Sequence, residues 1–352
     1  MSKNFRSIRA VIALAVVAVF VSSCAGSGDS SNSSESSDAS TSSAPVVVYS
    51  GRSEKLMSEL FVQFTQDTGI EVDVRYGDSG EMAALILTEG SKSPADLFFS
   101  QDAGALGAVE EASLLTVLPT EISSLIDTKY SSKSGSWVGT SGRARVIVYN
   151  PSLVDTLPTT IDDLLDSKWL GKIGFAPTNA SWQSFVTALR VVRGEDAART
   201  WLEGFAANKP VAYEKNGVVR DAVNSGEVAL GLVNHYYLYE KIAAEGAEAV
   251  VAKNHFFTNG DIGGLVNVAG IGLLQSSTNQ ERSLALVEYL LSAKGQEYFA
   301  QKSFEYPLIK GSKQFGELPS LAELNSPEID LSDLKSIAKT QELLAEVGLL
   351  TK

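Results

Sequence analysis

The chain has 352 residues, 44% of them hydrophobic and 20% charged, and a formal net charge of −13. That length admits two lobes of ordinary domain size. A surface this acidic disfavours nucleic acid and anionic lipid headgroups as partners and leaves a cationic ligand open.

The first segment is a targeting signal. MSKNFRSIR is a basic stretch, AVIALAVVAVFV an apolar one of the right length, and VSSC ends in Cys24, the only cysteine of the chain. Small residues before a cysteine at this position predict a lipoprotein signal over 1–23 and a diacylglyceryl group on Cys24. Two acyl chains suffice for stable anchoring. With Cys24 so used, no disulfide remains to brace the fold. Residues 24–44 are Ser-rich and lack large apolar side chains, so they are expected to be a tether reaching about 25 Å as a random coil.

The folded part is expected to begin near Pro45. VVVYS (46–50) reads as a buried strand, and SEKLMSELFVQFTQDTG as a helix with Leu56, Leu60, Phe61 and Phe64 on one face and Gly69 closing it. IEVDVRYG alternates as a strand, MAALILTEG is a helix and ADLFFSQ a strand. Alternation of this kind predicts an α/β fold with a mainly parallel sheet, whose ligands bind beyond the carboxyl ends of the strands. Three such ends stand out: YSGRS (49–53), FFSQD (98–102) and VGTSGRARV (138–146), the last also the expected crossing between lobes.

A second α/β set follows: strand KIGFAPT, helix SWQSFVTALRVV, strand KPVAYEK, helix VVRDAVNSG, strand VALGLVN and helix HYYLYEKIAAEG. GGLVNVAGIGLL (263–274) is a strand that returns the chain to the first lobe, too short to span a membrane. ERSLALVEYLLSAKGQEYFAQK reads as one amphipathic helix. The expected domains are 45–143 plus about 271–310 for lobe 1, and 144–270 plus part of 311–352 for lobe 2, hinged for closure around a ligand.

In VALGLVNHYYLYEKI, Asn234 stands where strand gives way to helix and is the expected N-cap. Tyr236 and Tyr237 then lie in the first helical turn. Neighbours converge on one point only at an irregular junction, and the helix N-terminus lowers the cost of ionising a phenol there. Phenolate is a hard anionic donor suited to Fe(III), and metal binding drives off its proton. From the pair alone, ring packing is the alternative reading. No P-loop, nucleophile elbow or H-E-x-x-H motif is present, and His235 and His255 are the only histidines, so no enzyme is predicted.

NHYYLYEK, GGLVNVAGIGLL, YSGRSEKL, SPADLFFSQDA and SGRARVIVYN resemble segments of the bacterial ferric-ion-binding proteins, in order from about residue 46 to QELLAEVGLL (341–350). The resemblance implies a two-lobed periplasmic-binding-protein fold of type II kind, with an interlobe cleft. It also implies an extracytoplasmic subunit, most simply a monomer, that delivers Fe(III) to an ABC permease and its ATPase. It further implies Tyr236 and Tyr237 as metal ligands. A family histidine and glutamate correspond to Ser53 and Gln101, both neutral here, so water and a synergistic anion such as carbonate or phosphate are expected to complete the metal's ligand set. Asn179, Ala180, Ser181, Asn216 and Asn234 match the anion-holding positions, with Arg143 and Arg145 near the crossing to balance charge. Glu54, Glu81 and Asp102 are candidates for a substitute carboxylate, and Trp182 for a cleft wall or a core residue. The alternative reading keeps the fold and changes the solute, to a polyamine, thiamine, a phosphonate or a whole ferric chelate.

Overall fold

The computed structural model describes residues 44–316 and 318–350. The signal segment and Cys24, with the tether up to residue 43, lie outside them. Among the described residues no helix is long and apolar enough to cross a membrane.

The chain runs β1 (Val46–Ser50), α1 (Glu54–Thr68), β2 (Val72–Tyr76), α2 (Ser79–Glu89), β3 (Leu97–Ser100), α3 (Ala103–Glu111), a short α4 (Thr120–Ser123) and the long β4 (Trp137–Tyr149). Then come β5 (Ile173–Phe175), α5 (Ala180–Arg193), α6 (Glu195–Ala207), β6 (Val211–Ala212), α7 (Asn216–Ser225), β7 (Leu230–Asn234), α8 (Tyr236–Glu245), β8 (Lys253–His255) and β9 (Val266–Leu273). The chain ends with α9 (Gln280–Leu291), α10 (Ala293–Lys302), β10 (Tyr306–Pro307), α11 (Leu321–Leu324) and α12 (Ile337–Glu346). The strands lie in the order β2-β1-β3-β9-β4-β7-β5-β6, with β8 and β10 also on β4.

The local rules explain most of this. In α1 the residues Met57, Leu60, Phe61 and Phe64 are buried, and Gly69 caps the helix in the left-handed conformation (φ 71°) that glycine adopts without strain. In β2, Val72, Val74 and Tyr76 turn toward the helices while Asp73 and Arg75 face solvent. The outer pairs β1–β2, β1–β3, β5–β6 and β5–β7 are parallel as expected. Every pairing that involves β4 or β9 is antiparallel, so the sheet is mixed and not mainly parallel. The reason is β4: its first part pairs β9 through Ala144, and from Arg145 onward it pairs β7. One strand therefore belongs to both halves of the sheet and carries the chain from one to the other.

Two further expectations are corrected. The helix over residues 281–302 is broken at Ser292, whose backbone is extended and whose Oγ accepts the Gly295 N–H (3.3 Å) as the cap of α10. A Cβ on Gly295 would lie 2.5 Å from the carbonyls of Tyr289 and Leu290, so only glycine lets the chain turn back this closely. KPVAYEK supplies only the two-residue β6.

The C-terminal segment closes the molecule behind the strands. Its 3-10 turn Leu331–Lys335 packs on α3, where Gly104 and Gly107 admit the backbone oxygens of Leu334 and Ser332. From there α12 lies on α5, joined by a Thr187–Thr340 hydroxyl bond (2.7 Å) and by Arg190 donating to Thr340 (2.7 Å).

Candidate metal centre

The two parallel-strand ends in the first half of the sheet are built alike. Ser50 Oγ donates to the Arg52 carbonyl and accepts its N–H (2.9 and 3.1 Å). Ser100 Oγ does the same for Asp102 (2.7 and 3.2 Å). Ser79 ties the two ends together: its Oγ accepts the Gln101 N–H (2.8 Å) and fills the space where Gly51 lacks a side chain. These tight bends turn Arg52 inward and leave Ser53 outward.

Arg52 is fully buried and makes a two-pronged ion pair with the fully buried Glu305, both bonds 2.8 Å. Its Nη1 also donates to the Gln101 amide oxygen (3.2 Å). Glu305 further accepts from Ser141 (2.7 Å) and Ser303 (3.3 Å). Burial by itself would raise the Glu305 carboxyl; Arg52 overcomes this and holds it below the usual range. Neither residue's role was foreseen, because the partners are 253 positions apart and nothing local in SFEYP marks a buried acid.

The side chains of Arg143 and Arg145, two residues apart on β4, are both buried. Arg143 donates to the Gln101 carbonyl. Arg145 donates to the Ser181 carbonyl (3.0 Å) and, more weakly, its hydroxyl (3.4 Å), and its guanidinium lies 5.0 Å from the Phe185 ring centroid and 5.9 Å from that of Trp182. Trp182 is itself fully buried among Phe175, Phe185 and Phe205, which settles it as a core residue. Burial pulls the Arg145 guanidinium down to about 9, against an opposing pull from Tyr237. Among the described residues Arg145 makes no ion pair.

Ser181 leads into a small amide cluster. Asn179 caps α5: its Oδ1 accepts the Ser181 N–H (3.0 Å) and hydroxyl (2.7 Å). Asn216, the first residue of α7, donates to Asn179 Oδ1 (3.1 Å) and Ser181 Oγ (3.0 Å), and its own Oδ1 is buried without a partner. Ala180 is the half-buried first residue of α5.

Tyr236 and Tyr237 open α8. Their rings stack at 4.3 Å between centroids with 28° between planes, which sets the two side chains side by side. Tyr236 is buried and Tyr237 half-buried. Burial, then Tyr237, push the Tyr236 phenol well above the ordinary tyrosine range, while Arg143 pulls the other way. The expected easing of ionisation by the helix terminus is therefore outweighed by desolvation, and the phenol is neutral until something replaces its proton.

Asn234 is not the N-cap. It ends β7 opposite Arg145, and the ladder holds it in the strand; His235 takes the cap position with helical angles (φ −58°, ψ −38°) and no side-chain cap bond. His235 is completely buried and pinned at every polar atom. Its N–H donates to the Ala144 carbonyl (2.9 Å), its carbonyl accepts from Asn254 (2.8 Å), its Nδ1 accepts the Ala144 N–H (3.2 Å), and its Nε2 donates to the Phe304 carbonyl (2.8 Å). Phe304 sits at φ 57°, an uncommon conformation for a phenylalanine, held by this contact and its ring neighbours. His235 thus joins β4, the tyrosine corner and the segment that carries Glu305. Burial drives its imidazole down to about 4.

A prediction follows from that depression. Below its ordinary value near 6.5 the unfolded chain binds a proton on His235 that the folded chain refuses, so stability falls as pH drops from 6.5 toward 4. The loss from this group is about 3 kcal/mol by the bottom of that window. Urea unfolding of the iron-free protein across that range measures it, and His235→Gln should flatten the slope.

The remaining candidates fall away from the centre. Ser53 is exposed and makes no cap bond. Asp102 is spent on the Gly104 and Ala105 N–H groups at the start of α3 (3.0 and 3.3 Å). Glu54 and Glu81 are exposed. His255, on β8, donates from Nε2 to the Pro158 carbonyl (2.8 Å). Tyr236, Tyr237, Gln101, Arg143, Arg145, Ser181, Asn179 and Asn216 are linked by contacts or direct charge interactions.

The model of the family described as bacterial extracellular solute-binding protein matches residues 50–297. The chain belongs to that family. It is 33% identical over 308 residues to the Fe(3+)-binding periplasmic protein of Serratia marcescens, covering 87% of this chain and 90% of that one. It is 31% identical over 313 residues to the major ferric iron-binding protein of Neisseria meningitidis serogroup B, covering 87% and 93%. Among solved structures it is similar to iron-bound HitA from Pseudomonas aeruginosa, with a TM-score of 0.82, 33% identity and coverage of 87% and 99%. A Trichodesmium protein, IdiA or FutA, in complex with iron and citrate ligands gives a TM-score of 0.75 at 28% identity, covering 87% and 100%. The fold is accordingly the two-lobed one of periplasmic binding proteins, and on the strength of these relatives the protein is a solute-binding protein and not an enzyme.

Proposed function

We propose that this protein captures Fe(III) between its lobes with the phenolates of Tyr236 and Tyr237 and a synergistic anion, and hands the ion to an ABC permease driven by its ATPase. The observation that carries this is the stacked tyrosine pair at the β7–α8 junction, within the charge field of Arg52, Arg143 and Arg145. The Tyr236 phenol, raised in proton affinity by burial and by its neighbour, is a poor anion alone and a good one against a trivalent cation. Relatives named for ferric iron support the same cargo. The anion lies by Arg145, Asn179, Ala180, Ser181 and Asn216, with Arg143 and Asn234 at the edge. Residues 45–143 with about 271–310 form lobe 1, and 144–270 with part of 311–352 form lobe 2. The chain works as a monomer outside the cytoplasmic membrane, held by lipidated Cys24.

The organic solutes fit less well. A polyamine or thiamine offers the paired phenols no Lewis acid to displace their protons, which a trivalent cation does.

The test is the visible spectrum and metal content of the purified protein after incubation with ferric citrate. Phenolate-to-Fe(III) charge transfer should colour it, with one iron per chain. A colourless, iron-free protein refutes the reading.

A further inference from the structure

The first strand ends offer the metal no carboxylate. Ser53 faces solvent, the Gln101 amide oxygen is engaged by Arg52, and Asp102 is spent as a helix cap. Another carboxylate lies on the tyrosine helix itself. Glu240 follows Tyr236 by four residues and Tyr237 by three on α8. At about 100° per residue it stands about 40° round the helix from Tyr236 and about 60° from Tyr237, between the two. Helical side chains lean toward the N-terminus, so Glu240 reaches back over the turn that carries both phenols. The charges acting on it put it on the side of the first strand end. Burial raises its carboxyl, Lys55 on α1, Arg220 and Arg52 pull against this, and Glu305 adds to it. Arg52 acts on Tyr236 and Tyr237 as well. Glu240 is half-buried, yet among the described residues its carboxylate makes no hydrogen bond and no contact ion pair. The other cations near it are taken: Arg52 by Glu305 (2.8 Å), Arg220 by Asp221 and the Tyr237 carbonyl (3.0 and 2.8 Å), and Lys241 by Asp221 and Glu245 (3.1 and 2.7 Å). A partly buried carboxylate without a partner is costly, and a hard trivalent cation removes the cost by coordinating it.

We propose that Glu240 is a third protein ligand of the ferric ion, a carboxylate oxygen supplied from the tyrosine helix in place of donors at the first strand ends. The inference rests on the tyrosinate reading above and adds a donor to it. Carboxylate matches phenolate as a hard anionic oxygen. The three protein donors then stand within two turns of one helix, and their spacing is set by α8 alone. The bland role for the same residue is a charge pair with the exposed Lys55 across the gap between α8 and α1. The two roles differ in what charge, reach and Lys55 each contribute.

Ferric binding to the purified full chain, measured by competition with a chelator, tests this alongside the visible spectrum and urea unfolding of the iron-free protein. Glu240→Gln is expected to weaken ferric binding about a hundredfold. It should keep the phenolate colour with the band shifted, and leave the iron-free protein as stable as before or more so. Glu240→Asp keeps the charge and withdraws the oxygens by one methylene, and is expected to lose about as much affinity as Glu240→Gln. Lys55→Met is expected to leave binding unchanged. Wild-type affinity in Glu240→Gln overturns the inference, and so does wild-type affinity in Glu240→Asp, because charge alone then suffices. A loss in Lys55→Met equal to that in Glu240→Gln assigns Glu240 to the charge pair and overturns it as well. Each of these outcomes leaves the tyrosinate reading standing. A wild-type protein that stays colourless with ferric citrate overturns the tyrosinate reading, and the inference with it.

Discussion

Tyr236→Phe and Tyr237→Phe should each strip most of the visible colour from the iron-loaded protein and weaken ferric binding by at least about a thousandfold, or about 4 kcal/mol. The two rings stack at 4.3 Å, so the substitution removes an oxygen and keeps the packing. The iron-free fold should accordingly change by no more than about 1 kcal/mol, the ordinary worth of one hydrogen bond. That contrast separates a ligand from a packing residue: a purely structural tyrosine would shift the unfolding midpoint and leave the spectrum alone. Proton release gives a second readout. Burial holds the Tyr236 phenol protonated in the iron-free protein, so each ferric ion bound displaces its proton, and a second if Tyr237 also binds as phenolate. Affinity should then fall about a hundredfold for each unit of pH removed, read by competition against a chelator of known proton dependence. A slope near zero would mean that the phenols stay protonated and do not bind the metal.

What was legible in the sequence was what local pattern encodes. The strands and helices around the strand ends YSGRS and FFSQD follow from apolar runs, period-four spacing and glycine stops, and these act over a few residues. The tyrosine pair was legible because its place at a strand-to-helix junction is also local, and the resemblance gave it a chemistry. The helix break at Ser292 was not, since the apolar stripe continues through it and the break depends on a serine cap and one glycine's close approach. The mixed sheet was missed for a different reason: pairing direction is decided by where β4 and β9 meet in space, which periodicity does not report. Asn234 was assigned to the helix by residue type, whereas the ladder to Arg145 decides its place. Deepest hidden was the Arg52–Glu305 pair, a contact between the first strand end and the segment leading to β10.

That pair carries the largest expected stability effect. Glu305→Gln should destabilise the protein by about 3–5 kcal/mol, seen as a lower urea midpoint, because it leaves the Arg52 guanidinium buried without its counter-charge. Glutamine retains one acceptor for two donors, so the loss is not only of charge. Arg52→Met alone should cost a similar amount by stranding Glu305, which also holds Ser141 and Ser303. The double variant Arg52→Met with Glu305→Leu should recover a large part of the loss, since apolar replacement of a whole buried pair is often close to neutral. If the two single losses add in the double variant, the pair is not coupled and the ion-pair account is wrong. The same experiment reaches function. Arg52 holds the Gln101 oxygen and lies in the field of both tyrosines, and Glu305 follows the Phe304 carbonyl that fixes His235. The repacked double variant should therefore fold while binding iron less tightly, with a shifted charge-transfer band. Stability regained without the wild-type spectrum would mean that the buried ions are kept for the position and charge they give the tyrosines, and not for what they add to the fold.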